Sequence, residues 1–209
     1  MNQEGTYYEE AYYGNVGVGA VHMLLYFTTD AYKPDGTLNP IIGIMKKLPT
    51  WRVKLGGLLG PVAAFFYCIG YYHITLSAVD EYRTLAFITT LISCMGIIVG
   101  GAYHSQFTYL GLIGKIGNET AMNELKGNIK LLNTVSFLFM GLGALGLALL
   151  IVFGKTYYPP WAVVFSPAVL FLLVIPLGEL PQPYLSVLFG GWYNLMYAIY
   201  FGASLFLIP

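Results

Sequence analysis

The chain has 209 residues, of which 57% are hydrophobic and only 10% are charged, whereas a typical soluble domain carries about 25% charged residues. Its formal net charge is zero and its longest basic run is Lys46-Lys47, so nothing favours a nucleic-acid partner. This composition excludes an ordinary soluble domain. It predicts an all-α polytopic membrane protein whose single domain, 1–209, is one transmembrane helical bundle.

Apolar segments of membrane-spanning length recur along the chain. A crossing needs about 20 apolar residues, and six segments fit: 12–31, 53–77, 85–113, 131–153, 161–177 and 184–207. The N-terminus lacks the basic region of a signal peptide, so the first span is expected to be retained. The chain is therefore predicted to be a six-span, multi-pass protein of the cell membrane.

Basic residues are distributed unevenly between the two sides of this arrangement. The loops on one side carry eight of the ten: Lys33, Lys46, Lys47, Arg52, Lys54, Lys115, Lys126 and Lys130. The other side has only Arg83 and Lys155. Under the positive-inside rule the strongly basic side faces the cytoplasm. The N-terminus and the C-terminus are then both predicted to lie outside.

Glycine and proline mark places where helices pack closely or bend. Gly56 and Gly60 form a G-x-x-x-G pair, a pattern that favours close helix packing and makes a homo-oligomer through glycine-rich faces a further expectation. Pro61 leaves the carbonyl of Gly57 without its helical donor, so a bend is expected in the second span. Pro167 lies in the middle of the fifth span and has the same effect there.

A histidine lies among glycines in the third predicted span. His104 shares one helix face with Gly100 and Thr108. Ionisable residues inside a membrane segment face protein or a cavity rather than lipid. Counting about 1.5 Å per residue places His104 near the middle of the bilayer, at the level of one polar residue from the first span and one from the sixth. The candidate ligand-binding residues are His104, His22, Asn194, Tyr26, Thr108 and Tyr103.

The remaining titratable residues give no pattern for metal or covalent chemistry. Imidazole suits several transition metals, but the three histidines form neither H-x-x-x-H nor H-E-x-x-H, so no metal and no cofactor is predicted. His73 is expected near the outer surface and outside the site, with little effect on stability. Cys68 and Cys94 fall in apolar segments, where cysteine behaves as a small hydrophobe.

Several segments together carry a resemblance to a known family. They read WRVKLGGLLGP at 51–61, GGAYH at 100–104 and TYYPPW at 156–161, followed by the late Asn194. The chain resembles a prokaryotic family of membrane proteins of unknown function, over most of its length from the first span onward. The resemblance implies six helices and a role for His104, but no activity. The first span departs from the family pattern, carrying His22 where the family has Gly-Asp before a Leu-Leu pair.

Three functions stay open on the sequence alone. The leading hypothesis is a membrane protein that binds a small or lipid-like molecule in a central cavity, as a carrier or sensor. The second is a membrane-embedded enzyme acting on a lipid or isoprenoid, with His104 as general acid or base. The third is a structural membrane subunit without a ligand. The expected partners are membrane lipids and a small hydrophobic or amphipathic ligand.

Overall fold

A computed structural model describes residues 37–181, Tyr184, Leu188 and 190–207. The helices in these ranges are α1 (Asn39–Lys47), α2 (Thr50–Leu76), α3 (Arg83–Ile116), α4 (Glu119–Val152), α5 (Pro167–Phe171), α6 (Val174–Leu177) and α7 (Gly190–Leu207). Two 3₁₀ turns, Asp80–Tyr82 and Pro160–Phe165, complete the regular structure described, which has no strand. The predicted all-α class is confirmed for these ranges. The first predicted span, with His22 and Tyr26, lies outside them.

Three of the helices, α2, α3 and α4, are long and apolar enough to cross a membrane. α3 and α4 have 34 residues each, about 51 Å at 1.5 Å per residue, which exceeds a hydrocarbon core of about 30 Å. The sequence predicts the fourth span from 131, but α4 begins at Glu119. The polar stretch before the predicted span is therefore the first part of one continuous helix.

The turn between α3 and α4 is only two residues long. Gly117 has φ 79°, the left-handed conformation that commonly ends a helix. Asn118 then caps α4, because its side-chain oxygen accepts a hydrogen bond from the Ala121 backbone N–H at 3.0 Å. This connection makes α3 and α4 antiparallel neighbours.

The structure corrects the prediction of a fifth span over 161–177, because this segment is not one continuous helix. The chain forms the 3₁₀ turn Pro160–Phe165 and then the short helices α5 and α6. Ser166 has an extended backbone, and its side chain accepts a hydrogen bond from the Val169 N–H at the start of α5. A residue before proline is disfavoured in helical geometry, so Pro167 starts a new helix instead of bending an existing one.

The contact between α2 and α3 depends on glycine. A Cβ atom added at Gly60 would lie 2.6 Å from Cβ of His104 and 3.2 Å from the carbonyl oxygen of Gly101. One added at Gly57 would overlap the Thr108 hydroxyl. Gly57 and Gly60 therefore form the close contact with α3, and Gly56 of the predicted pair is also buried. The close packing predicted for this segment is confirmed at Gly60.

The carbonyl that Pro61 deprives of its helical donor receives a replacement from α3. The Ser105 hydroxyl lies 3.2 Å from the Gly57 carbonyl oxygen. One turn away, the Thr108 hydroxyl donates to the Val53 carbonyl oxygen at 3.3 Å. Small hydroxyl side chains commonly satisfy backbone groups freed by proline in membrane helices. The α2–α3 contact is thus both close-packed and hydrogen-bonded.

A second glycine contact joins α3 to α4. The Ser136 hydroxyl donates to the Gly96 carbonyl oxygen at 2.9 Å. A Cβ atom at Gly96 would lie 2.6 Å from the Met140 backbone nitrogen, and one at Gly143 would overlap Ser93. α3 therefore presents small residues on two faces and is the helix that both α2 and α4 approach closely.

The two ends of the bundle differ in charge. We call one the basic end, made of α1, the start of α2, the end of α3 and the start of α4. Its basic side chains are Lys46, Lys47, Arg52, Lys54, Lys115, Lys126 and Lys130. Lys115 Nζ donates to the Leu48 carbonyl oxygen at 2.6 Å, and Lys126 Nζ donates to Asn39 Oδ1 at 3.0 Å. These bonds hold α1 against the end of the bundle.

The far end is closed by backbone pairing between two connections. Ala78 and Thr156 form an isolated antiparallel bridge, with the Tyr157 N–H donating to the Ser77 carbonyl oxygen at 2.8 Å. The ammonium group of Lys155 lies 4.3 Å from the centre of the Tyr82 ring. The adjacent Tyr82 side chain raises the pKa of Lys155. The connections after α2 and α4 are thereby joined.

We predict that Gly57→Ala destabilises the protein by about 1–3 kcal/mol, because the added methyl group overlaps the Thr108 hydroxyl in a packed contact. Gly141→Ala is the matched control. Gly141 is in α4, with nothing within 4 Å of an added Cβ, and alanine is the better helix former. Thermal unfolding in detergent should therefore show a lower midpoint for Gly57→Ala and an equal or higher one for Gly141→Ala. Equal effects of the two substitutions would contradict the α2–α3 contact.

Candidate functional site

His104 lies where α3 crosses the glycines of α2. Its ring lies beside the rings of Tyr103 and Phe107, with centroid distances of 5.3 Å and 6.0 Å. Gly60 provides the space, since any larger residue there would meet the His104 Cβ. The Nδ1 atom of His104 is fully enclosed and has no hydrogen-bond partner among the described residues. A buried polar atom without a partner costs about 1–3 kcal/mol.

Polar side chains on the outside of the bundle lie close to the level of His104. Asn128 Nδ2 of α4 donates to Gln106 Oε1 of α3 at 3.3 Å, two residues from His104. Lys130 follows on α4 and is exposed. Long charged side chains near a membrane boundary extend to the headgroups. His104 therefore lies on the basic-end side of the middle of α3, at the level of this polar group.

Two further candidates, Thr108 and Tyr103, belong to the same region of α3. The Thr108 hydroxyl is already used by the Val53 carbonyl oxygen. Tyr103 is half-buried and packs against the apolar cluster at the basic end, which includes Phe107. The structure thus brings Tyr103 and His104 together and places Thr108 one turn further towards the basic end.

Asn194 contacts α2 at a different level. Its Oδ1 atom accepts a hydrogen bond from the Tyr67 hydroxyl at 3.0 Å. Tyr67 follows Gly60, where His104 packs, by two helical turns, which is about 10 Å along α2. The structure therefore does not place Asn194 beside His104. His22 and Tyr26 lie outside the described residues, so one site shared by all six residues stays a prediction.

His73 is more enclosed than its position in the sequence indicates. It lies near the end of α2, as expected, but only 2% of it is exposed. Its Nε2 atom is hydrogen-bonded to the Tyr158 hydroxyl. His73 is therefore covered by protein instead of lying at an exposed surface, and we expect its removal to lower stability, in contrast to the expectation from the sequence.

A buried polar network surrounds His73 and joins three parts of the chain. The Tyr158 hydroxyl donates to Ser204 Oγ of α7 at 2.7 Å, and Ser204 Oγ donates to the Tyr200 carbonyl oxygen at 2.8 Å. Since the proton of Tyr158 is used in this way, His73 Nε2 carries a hydrogen and donates to Tyr158. In the sequence, the signal that could have indicated this network is the four-residue spacing of Tyr200 and Ser204, which places both on one face of the last span.

The two cysteines face each other across the α2–α3 contact. Cys94 Sγ lies 4.0 Å from the Cys68 carbonyl oxygen. Both are free thiols. Within the described ranges no group of three histidine, cysteine or acidic residues could hold a metal ion.

We predict that Tyr158→Phe destabilises the protein by about 1–3 kcal/mol, because it removes the hydroxyl that links His73 to Ser204. Tyr157→Phe is the matched control, since Tyr157 is the neighbouring tyrosine and 49% exposed. The free energy of unfolding should fall for Tyr158→Phe and stay within about 0.5 kcal/mol for Tyr157→Phe. If Tyr158→Phe is as stable as the control, the network does not hold α7 to α2.

Comparison with known proteins gives one match over nearly the whole chain. Residues 12–209 match the model of a family of unknown function, DUF6796. Neither the curated proteins nor the solved structures contain a match. The matched range includes α1 to α7, and with them His104, Asn194 and the network around His73. The chain therefore belongs to the DUF6796 family.

Proposed function

We propose that this protein is an integral membrane protein that binds a small or lipid-like molecule at His104, as a carrier or sensor. The proposal includes six crossings with both termini outside, the fifth formed by the interrupted segment of the second 3₁₀ turn, α5 and α6. The three long apolar helices support the membrane location. The concentration of basic residues at one end of α2, α3 and α4 supports the orientation, because the positive-inside rule assigns the more basic side to the cytoplasm.

The single observation that carries the binding proposal is the enclosed Nδ1 of His104, at the glycine contact of α2 and α3. Tyr71 Oη and Thr156 Oγ1, elsewhere among the described residues, are also enclosed without a partner. Other polar side chains of the α2–α3 contact have backbone partners: Ser105 bonds Gly57, Thr108 bonds Val53 and Thr90 bonds Tyr71. No water is available in a hydrocarbon core to satisfy a remaining polar atom. A ligand with a hydroxyl, amide or carboxylic acid group would supply the missing hydrogen bond once the side chains that enclose Nδ1 move aside.

The surroundings of His104 limit the ligand class. The rings of Tyr103 and Phe107 lie against the imidazole, and they favour a ligand with an apolar or planar body. The polar band of Gln106, Asn128 and Lys130 nearby provides a polar boundary. An amphipathic molecule that enters from the basic end, polar group first against His104, fits these features best.

We predict that His104→Leu loses a bound small molecule and keeps its fold. Leucine removes the polar atom that needs a partner, so the variant should fold without the ligand, with a thermal stability equal to or higher than that of ligand-free wild type. Native mass spectrometry of protein purified from membranes should show a non-protein mass on the wild type that is absent from His104→Leu. His104→Gln, which keeps a donor and an acceptor, should retain part of it.

Ser105→Ala is the matched control, because Ser105 follows His104 directly but bonds the Gly57 carbonyl instead. It should keep the bound molecule. The contradicting result is a wild type without any bound mass, together with a loss of about 1–3 kcal/mol in His104→Leu. In that case the partner of Nδ1 is another part of the chain, and His104 is a structural hydrogen-bonding residue between helices.

A further inference from the structure

The outward face of α2 carries an apolar stripe with one charged residue, Lys54, in its first turns. Trp51, Leu58 and Phe65 are 62%, 64% and 63% exposed. Their spacing of seven residues places them on one helix face. We define the outer α2 stripe as the residues of this face: Trp51, Lys54, Leu55, Leu58, Val62 and Phe65.

The charge of the stripe is concentrated at one end. Lys54 is exposed, and in the part of the chain that the structure describes no hydrogen bond or ion pair engages it. Lys115 and Lys126 differ, since both are bonded to the α1 region. Among the described residues of the basic end, the acidic side chains are Glu119 and Glu124, against seven basic ones. Lys54 therefore lies in a strongly positive surrounding.

Trp51 marks the level of the membrane boundary on this face. Tryptophan is enriched where its ring can lie at the headgroup level. Beyond it, Leu58 and Phe65 continue the stripe into the apolar part of α2. Lys54 follows Trp51 by about one helical turn, and its long side chain can extend back to the headgroup level of Trp51. Its ammonium group and the apolar side chains after it then match the phosphate and the acyl chain of a phospholipid.

We propose that the outer α2 stripe binds an anionic phospholipid, with its phosphate against Lys54 and one acyl chain along Leu58 and Phe65. The net positive charge of the basic end favours an anionic headgroup over a zwitterionic one, because basic residues near a membrane surface each attract anionic lipid by about 1 kcal/mol. This site requires the membrane location but not the ligand at His104, since it lies on the outward face of α2, whereas His104 contacts the face that carries Gly60.

Quenching of tryptophan fluorescence by brominated lipid tests the proposal on the full chain. The protein is reconstituted into phosphatidylcholine vesicles containing either brominated phosphatidylglycerol or brominated phosphatidylcholine at the same mole fraction. The difference between the wild type and Trp51→Phe isolates the signal of Trp51. We expect stronger quenching of Trp51 by the brominated phosphatidylglycerol, and a preference that weakens as salt is raised.

Lys54→Gln should reduce the preference of the Trp51 site for phosphatidylglycerol by about fivefold. Lys130→Gln is the matched control, since Lys130 is another exposed lysine of the same end but lies on α4; it should keep the preference. Equal losses in the two variants, or no preference in the wild type, would overturn the site. Competition by inorganic phosphate would also overturn it, because the site would then recognise a free anion rather than a lipid.

Discussion

The close approach of α2 and α4 to α3 is the constraint on which the rest of the structure depends. In a membrane, helices gain little from the hydrophobic effect against one another, and their association relies on packing, hydrogen bonds and small residues. α3 provides small residues and hydrogen-bonding groups on two of its faces. Gly60 and Gly101 bring α2 within contact of its backbone, and Gly96 does the same for α4. Larger residues at these positions would separate the three long helices.

This arrangement also explains where polar side chains occur. A serine or threonine at a close contact can reach a carbonyl on the neighbouring helix, as Ser105 does for Gly57 and Ser136 for Gly96. Such bonds contribute about 0.6 kcal/mol each on average in membranes. His104 differs from these residues because its Nδ1 has no such carbonyl within the described part of the chain. At the candidate site, close packing of the helices therefore leaves the His104 Nδ1 atom without a hydrogen-bond partner among the described residues.

Much of the fold could be predicted from composition and helix punctuation. The long apolar helices, the close contact near Gly60 and the freed carbonyl of Gly57 all follow from residue type and spacing. The break at Ser166 was harder to predict, because a mid-span proline either bends a helix or starts a new one. The capping bond of Ser166 decides between these outcomes, and a sequence does not show whether that bond forms.

The candidate site could be predicted only in part, because the sequence does not give the register of one helix against another. Helix rise gives the depth of a residue along its own helix but not its register against another helix. The sequence therefore predicts His104 and Asn194 at one level, whereas they contact α2 at Gly60 and at Tyr67. The partnership of His73 with Tyr158 joins residues far apart in the sequence, and no local pattern indicates it.

The register of α2 against α3 is the central claim, and oxidative cross-linking of the two native cysteines tests it most directly. A disulfide requires Cα atoms about 4.4–6.8 Å apart, and Cys94 Sγ lies 4.0 Å from the Cys68 carbonyl oxygen across this contact. Mild oxidation of the folded protein, with an external oxidant accepting two electrons, should convert both thiols to one intramolecular disulfide. A variant with Cys68→Ser and Leu58→Cys should not cross-link, because Leu58 faces outward. If the native pair stays reduced while that variant forms a disulfide, the register of α2 against α3 is contradicted.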